Sequence, residues 1–225
     1  MARELSHAST MSFALSYAAW FHQRRGETQA VQARVEEGVM LATEQGFSPR
    51  QAQANFLQGW IFAEQGEWEL GIARMFQVLA TERSRTNFGR WISHGAALLA
   101  DTCGKSRQTV EGLNVVTDAL ATVHATQCRY YEAELHRIKG ELLLKQTAAD
   151  EQQVEACFQN AIKIARGQSA KSLELRAAMS LSRLWQRQGK QQDAQKLLAE
   201  IYGWFTEGFD TADLKEAKAL LKELS

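Results

Sequence analysis

Proline is almost missing from this chain: Pro49 is the one proline among 225 residues. Because proline interrupts helix interiors and is placed mostly in turns and at strand edges, its scarcity favours helix. The alternation of Val, Ile, Thr and Tyr that is typical of strands is also absent. The frequent residues are instead Ala, Leu, Gln, Glu, Arg and Lys, which form helices well. The composition therefore predicts an all-α fold.

Cysteine is scarce as well, and its three copies are far apart, at Cys103, Cys128 and Cys157. An odd number at wide spacing argues against the disulfide framework of a small secreted domain. A reducing compartment fits this pattern better. We expect buried or idle thiols, because free cysteine behaves mainly as a small apolar residue.

Long apolar runs are missing too, since none approaches the roughly 18 residues that a membrane-spanning helix needs. The most apolar stretch, Met11–Phe21, is interrupted by polar residues and is followed by Arg24 and Arg25. A signal peptide has its basic residues first. We therefore expect a cytoplasmic protein without a membrane partner.

No charge of one sign dominates, because 26 basic residues balance 26 acidic ones and the formal net charge is zero. Nucleic-acid binding usually relies on a basic patch or stripe. The balance predicts that the chain has no nucleic-acid partner.

The feature that the chain does have is a repeat with a period of about 40 residues. Five predicted helices open their apolar stripes at Val31, Gly71, Gly112, Val154 and Ala194, which are separated by 40, 41, 42 and 40 residues. Each stripe has another apolar residue four positions on, as a helix face requires. We predict one domain over residues 1–225, a right-handed α-solenoid of about five helix pairs and a C-terminal capping helix. The pairs cover about 5–45, 48–82, 87–125, 130–167 and 172–203, and the cap covers 210–224.

Parts of these pairs resemble the tetratricopeptide repeat (TPR). A small residue with an aromatic residue three positions later occurs in Gly59–Phe62 and in Ser182–Trp185, and Val154–Ala161 matches the second helix of the motif. The chain departs from the motif in two ways. Its period is near 40 rather than 34 residues, and the terminal proline is missing throughout.

Two further stretches, Tyr130–Leu144 and Trp204–Ala217, are similar to the C-terminal repeat region of large bacterial signalling proteins. Those proteins carry a class III adenylate/guanylate cyclase or transcriptional-activator domain first, an ATPase next and the repeats last. The resemblance implies a regulatory, protein-binding segment and carries over neither enzymatic activity. Ala2–Leu5 resembles the end of an earlier repeat, so we expect the chain to begin inside an array.

Two short patterns could be taken for chemical sites. Gly104–Ser106 resembles the end of a phosphate-binding loop, but Leu99 occupies the position of the required first glycine, and the preceding residues are predicted helix. Glu132 and His136 share a helix face, yet two ligands are too few for zinc. We predict no catalytic residue, no cofactor and no metal.

The positions predicted to line the concave groove lie on the first helix of each pair, where stacked helix pairs present binding surfaces. They are aromatic in the N-terminal half and charged in the C-terminal half. Two interpretations stand: these residues contact a partner, or the aromatics pack between helices and the charges pair with one another. The partner-binding candidates are Phe13, Trp20, Phe56, Trp60, Asp101, Arg137, Glu141, Arg176 and Arg183.

These patterns predict a non-catalytic interaction and regulatory module that binds a peptide or protein segment in the groove. The alternative is a nucleotide- or small-ligand-binding helical domain, or a small helical enzyme. We also expect self-association through the first pair, because helical arrays need polar caps to stay soluble.

Titration calorimetry with ATP and with common divalent metals separates these functional classes. We expect no saturable heat, since the sequence lacks the grouped ligands that either site requires. A saturable signal with micromolar affinity would contradict the interaction module.

Overall fold

The computed structural model describes residues 7–83 and 90–225, and within these ranges it contains eleven helices and no strand. The all-α prediction is confirmed. Residues 2–5 and 87–89, predicted as an earlier helix end and as a helix start, lie outside the described residues. The helices are α1 Ala8–Arg24, α2 Thr28–Gln45, α3 Ser48–Glu64, α4 Trp68–Arg83, α5 Arg90–Lys105, α6 Thr109–Thr126, α7 Glu132–Leu143, α8 Glu151–Gly167, α9 Lys171–Arg187, α10 Gln191–Tyr202 and α11 Ala212–Glu223.

Consecutive helices pack as pairs, and short turns join the two members. At three of these turns the chain takes a positive φ at glycine, 71° at Gly26, 95° at Gly66 and 77° at Gly189. Only glycine adopts this conformation without steric cost. The next residue then closes the helix end, as when the Lys190 N–H donates to the Trp185 carbonyl at 2.8 Å. This bond satisfies a carbonyl that the helix end would otherwise leave without a donor.

The chain forms two compact units, Met1–Gly95 and Ala96–Ser225. The first contains α1 to α4 and the start of α5, and its core includes the fully buried Phe56 and Met75. The second contains the rest of α5 and α6 to α11. Its core includes Phe158 and Leu198, and α11 adds Leu214, Ala217 and Leu220 to the same cluster. No helix in the described part of the chain is long and apolar enough to cross a bilayer.

The repeat seen in the sequence corresponds to one recurring contact, the crossing of the two helices within a pair. All five residues that open the second-helix stripes are buried, as are the residues four positions later. Facing them, each first helix has a small residue at the same position in its repeat. These small residues are Ala19, Gly59, Ala100, Gly140 and Ser182.

The space at this crossing is too small for a larger side chain. A Cβ atom added at Gly71 would lie 2.5 Å from the Gly59 carbonyl oxygen. In the last pair, the Ser182 hydroxyl donates to the Ala194 carbonyl at 3.2 Å. The small residues therefore set how closely the two helices approach.

Gly140→Ala should destabilise the second unit by about 2–3 kcal/mol, because packed cores resist added methyl groups. The new Cβ would lie 2.5 Å from the Phe158 ring, which is fully buried and has no room to move aside. The free energy of unfolding in urea measures the effect.

Gly167→Ala is the matched control, because nothing lies within 4 Å of its added Cβ and its φ is not positive. We expect it to be neutral or to stabilise by up to about 1 kcal/mol, since alanine favours helix more than glycine does. Equal losses in both variants would show that the Gly140 crossing is not close-packed.

Candidate partner-binding site

Five of the nine predicted groove residues occupy matching positions in successive repeats. The residue that directly follows the small crossing residue is Trp20, Trp60, Asp101, Glu141 or Arg183. These residues have the same position in the repeat, but they are aromatic in the first two pairs and charged in the last three.

In the first unit, the predicted aromatics form a packed cluster with two residues of α5. The Trp20 ring centroid lies 5.8 Å from that of Phe56 and 4.3 Å from that of His94. Phe56 also meets Trp91 edge to face at 5.9 Å. Such ring pairs contribute about 0.5–1.5 kcal/mol beyond the area that they bury. The cluster thus joins the first helices of three successive pairs.

Burial limits what the aromatic candidates can contact in this conformation. Trp20, Phe56 and Trp60 are 7%, 0% and 3% exposed. Neither the Trp20 nor the Trp60 indole nitrogen has a hydrogen-bond acceptor among the described residues. A partner would reach these rings only after neighbouring side chains move. Their role in binding stays a prediction.

Phe13 belongs to a different, exposed row of aromatics that runs along α1. Phe13, Tyr17 and Phe21 are 48%, 57% and 57% exposed and lie four residues apart, so they share one side of the helix. We call these three residues the α1 stripe. The rings of Phe13 and Tyr17 stack with centroids 4.4 Å apart. Sequence reasoning selected Phe13 alone, although the spacing of four was the signal for the other two.

Cationic side chains lie over both ends of the α1 stripe. The Arg50 guanidinium is 4.9 Å from the Phe13 ring centroid, and that of Arg25 is 5.7 Å from the Phe21 centroid. A cation over an aromatic face is attracted by about 0.5–1 kcal/mol at exposed sites. Arg25 also pairs with Glu27 at 2.7 Å. The stripe is therefore apolar along its length and basic at its borders.

In the second unit, the predicted charges form a network across three helices. Arg137 of α7 pairs with Glu134 in a two-bond contact, at 2.8 and 3.0 Å. Arg176 of α9 lies 3.6 Å from the same carboxylate and 2.7 Å from Asp213 of α11. Glu134 is only 4% exposed. The charges thus connect the first helices of adjacent repeats, and sequence reasoning missed Asp213.

The remaining charged candidates also have partners. Glu141 accepts a hydrogen bond from the Ser180 hydroxyl at 2.6 Å. Asp101 pairs with Lys105 at 3.2 Å, and Arg183 pairs with Glu216 at 2.5 Å. Arg183 and Glu216 are both well exposed, so a charged group of a binding partner could replace either side chain in this ion pair at little cost in free energy.

Opposing effects set the protonation of the network. Burial alone would raise the pKa of Glu134, but Arg137 and Arg176 outweigh it and hold the pKa below its ordinary value. Burial would likewise lower the pKa of Arg137, and the facing Glu134 raises it instead. Both groups therefore stay charged at neutral pH, as buried ions do when they are paired.

The residues considered for chemistry do not form a reactive site. Burial, with the nearby Glu111, raises the pKa of the Cys103 thiol to about 12, which leaves it protonated and unreactive. Gly104 lies within the last turn of α5 rather than after a strand, and its carbonyl accepts a hydrogen bond from the Lys145 ammonium at 2.8 Å. Within residues 7–83 and 90–225, no three His, Cys, Asp or Glu side chains group closely enough to hold a metal ion.

An open cleft of about 510 Å³ lies between α3 and α4 in the first unit. Its volume is in the range of small-ligand sites. Arg74 donates to Asn55 at 3.2 Å within it, and Glu82 is the one carboxylate among its described lining residues. This lining can form hydrogen bonds but offers no acid–base pair for catalysis.

No protein-family model matches the chain, and no curated protein matches it. Several solved structures are similar to the chain. PilF of Pseudomonas aeruginosa is similar with a TM-score of 0.60 and 13% sequence identity, over 96% of this chain and 90% of that one. A kinesin light chain-like protein of Podosopora anserina, with nearly identical TPR-like repeats, is similar in two crystal structures. For one of them, a variant form, the TM-score is 0.57 at 17% identity, over 88% of this chain and 95% of that one. The other has a TM-score of 0.55 at 15% identity, over 96% of this chain and 97% of that one.

At these identities the likeness shows the fold. The chain has an all-α helical solenoid fold of TPR-like repeats, which confirms the predicted fold class. The resemblance to the repeat region of cyclase–ATPase signalling proteins stays a prediction.

Glu134→Gln should destabilise the protein by about 3 kcal/mol at pH 7, because it removes a buried carboxylate from two largely buried guanidinium groups, those of Arg137 and Arg176. The pKa of Glu134 is lower in the folded protein than its ordinary value of 4.5, so the ionised carboxylate stabilises the fold at pH values above 4.5. That stabilisation is lost as the pH falls through the lower, folded-state pKa. The variant should therefore lose less stability than the wild type between neutral and acid pH.

Urea unfolding at a series of pH values measures both effects. Glu216→Gln serves as the control, because its pair with Arg183 is exposed and should change stability by less than about 1 kcal/mol. A pH profile of Glu134→Gln parallel to that of the wild type would contradict the assigned role.

Proposed function

We propose that this chain is a non-catalytic protein–protein interaction module and that the α1 stripe is a docking surface. The single observation that supports this most strongly is the exposure of three aligned aromatic rings on one helix. Contiguous exposed apolar surface marks interaction sites on folded proteins. Aromatic and arginine side chains are also the types that most often dominate binding energy.

The chemistry of the α1 stripe indicates the kind of segment that it accepts. Apolar side chains would pack against Phe13, Tyr17 and Phe21, in the manner of a helix or extended peptide laid along a groove. Arg50 contacts the Phe13 ring and has no carboxylate partner among the described residues. A carboxylate of the partner beside the apolar residues would therefore gain an ion pair.

The wider functional context is part of the same proposal. The module would act in the cytoplasm, in a bacterial signalling or transcription-regulating protein, without nucleic acid or membrane as a partner. In the second unit, the exposed pair Arg183–Glu216 and the half-exposed Glu141 are the charged positions that a partner could reach. The first helix pair would also support self-association of the chain.

Double substitution of the stripe, Phe13→Ala with Tyr17→Ala, should weaken binding of a captured partner by at least about tenfold, because central aromatic contacts often contribute more than 1 kcal/mol each. Partners are captured on the immobilised chain from an extract of the source cells. The affinity of each purified partner is then measured for both proteins.

Val110→Ala provides the matched control, since Val110 is 63% exposed and lies outside the α1 stripe. It should leave affinity within about twofold. Circular dichroism confirms that all variants are folded. If the stripe variant binds every captured partner as tightly as the wild type, the α1 stripe is not the docking surface.

A further inference from the structure

A second exposed aromatic surface lies in the connection between α10 and α11. Trp204 and Phe209 are 59% and 47% exposed. Neighbouring rings hold them in place, with Phe209 6.0 Å from Tyr202 and Trp204 5.2 Å from Phe205 between centroids. We call residues 203–211 the connection patch. Like the α1 stripe, it leaves large apolar rings in contact with solvent.

The connection patch differs from the α1 stripe in charge. Its ionisable residues, Glu207 and Asp210, are both acidic and both exposed. Glu207 forms no ion pair with any described residue. Lys171 lies 5.6 Å from the Trp204 ring centroid, but its ammonium group already pairs with Glu174. The patch is therefore aromatic and acidic.

The α1 stripe is the complement of that surface. Arg50 borders Phe13 and has no carboxylate partner in the part of the chain that the structure describes. Arg24 and Arg25 are at the other end of the stripe, where Arg25 pairs with Glu27. Two apolar surfaces attract each other when the residues that border them have opposite charges, and these charges also fix the relative orientation of the surfaces. The chain thus carries both halves of a complementary contact.

We propose that the α1 stripe of one copy binds the connection patch of a second copy. This inference rests on the proposed function of the α1 stripe as a protein-docking surface, and it names the partner. A contact between two different surfaces is heterologous, so it adds copies one after another unless the arrangement closes into a ring. The zero net charge of the chain offers little repulsion between copies.

The association should be weak, because five exposed rings cover less area than a stable interface needs. We expect a dissociation constant on the order of 10–100 µM, as for small transient interfaces. In analytical ultracentrifugation, the average mass of the wild type should rise with concentration through this range.

Two variants test the heterologous pairing. The stripe variant carries Phe13→Ser and Tyr17→Ser, and the patch variant carries Trp204→Ser and Phe209→Ser. Each should be monomeric alone, because each lacks one of the two surfaces. An equimolar mixture should form a one-to-one dimer and nothing larger, because one intact stripe and one intact patch remain. Val110→Ser, on an exposed position elsewhere, should associate like the wild type.

Charge reversal tests the complementarity independently of the rings. Arg50→Glu and Glu207→Arg should each weaken self-association by at least about tenfold, since like charges then meet across the contact. Mixing the two variants should restore it. Circular dichroism of each variant shows whether it is folded.

The outcomes separate this inference from the proposed function. A wild type that stays monomeric at concentrations up to about 1 mM, well above the expected constant, overturns the pairing of copies. So does a patch variant that still associates, which would indicate a stripe-to-stripe contact. In either case the proposed function stands if the stripe variant loses its captured partner, and it fails only if that binding is unchanged.

Discussion

The structure depends on one close contact, the crossing of two helices at a small side chain. Where Gly59 meets Gly71, backbone approaches backbone with no space for a Cβ atom. Apolar residues one turn further along, such as Met75, can then fill the space between the helices completely. Since dense packing tolerates little change in volume, this contact fixes the register of the second helix against the first. The repeat of about 40 residues in the sequence is the repetition of this crossing.

The crossing does not constrain the residue that directly follows the small residue of the first helix, and this residue differs in chemistry between the two units. In the first unit Trp20 packs into an aromatic cluster with Phe56 and His94. In the second unit the residues around Glu141 are charged, and Arg176 pairs across helices with Glu134 and Asp213. Both solutions stabilise contacts between successive repeats, one by burial and the other by ion pairs. A repeated backbone can therefore carry unrelated surfaces, which is why the fold alone does not specify a partner.

Self-association and binding of another protein would use the same α1 stripe, so the two would compete. A foreign partner with higher affinity would displace the second copy by mass action. At low concentration the stripe would be available, and at high concentration it would be covered. Weak association of this kind would protect exposed rings such as Tyr17 and Phe21 without blocking a tighter partner.

The sequence by itself determined the helices, their pairing and the residues at the crossings, because those features follow from local propensity and from a period along the chain. It selected Phe13 and Trp20 as equals, since they lie seven residues apart on one helix face. Only the tertiary structure separated them: Phe56 and His94 cover Trp20, whereas Phe13 remains 48% exposed. Likewise, Arg176 pairs with Glu134 and with Asp213, and both of these residues lie in other helices. Periodicity shows which way a side chain points, but what covers or neutralises it depends on residues brought together by folding.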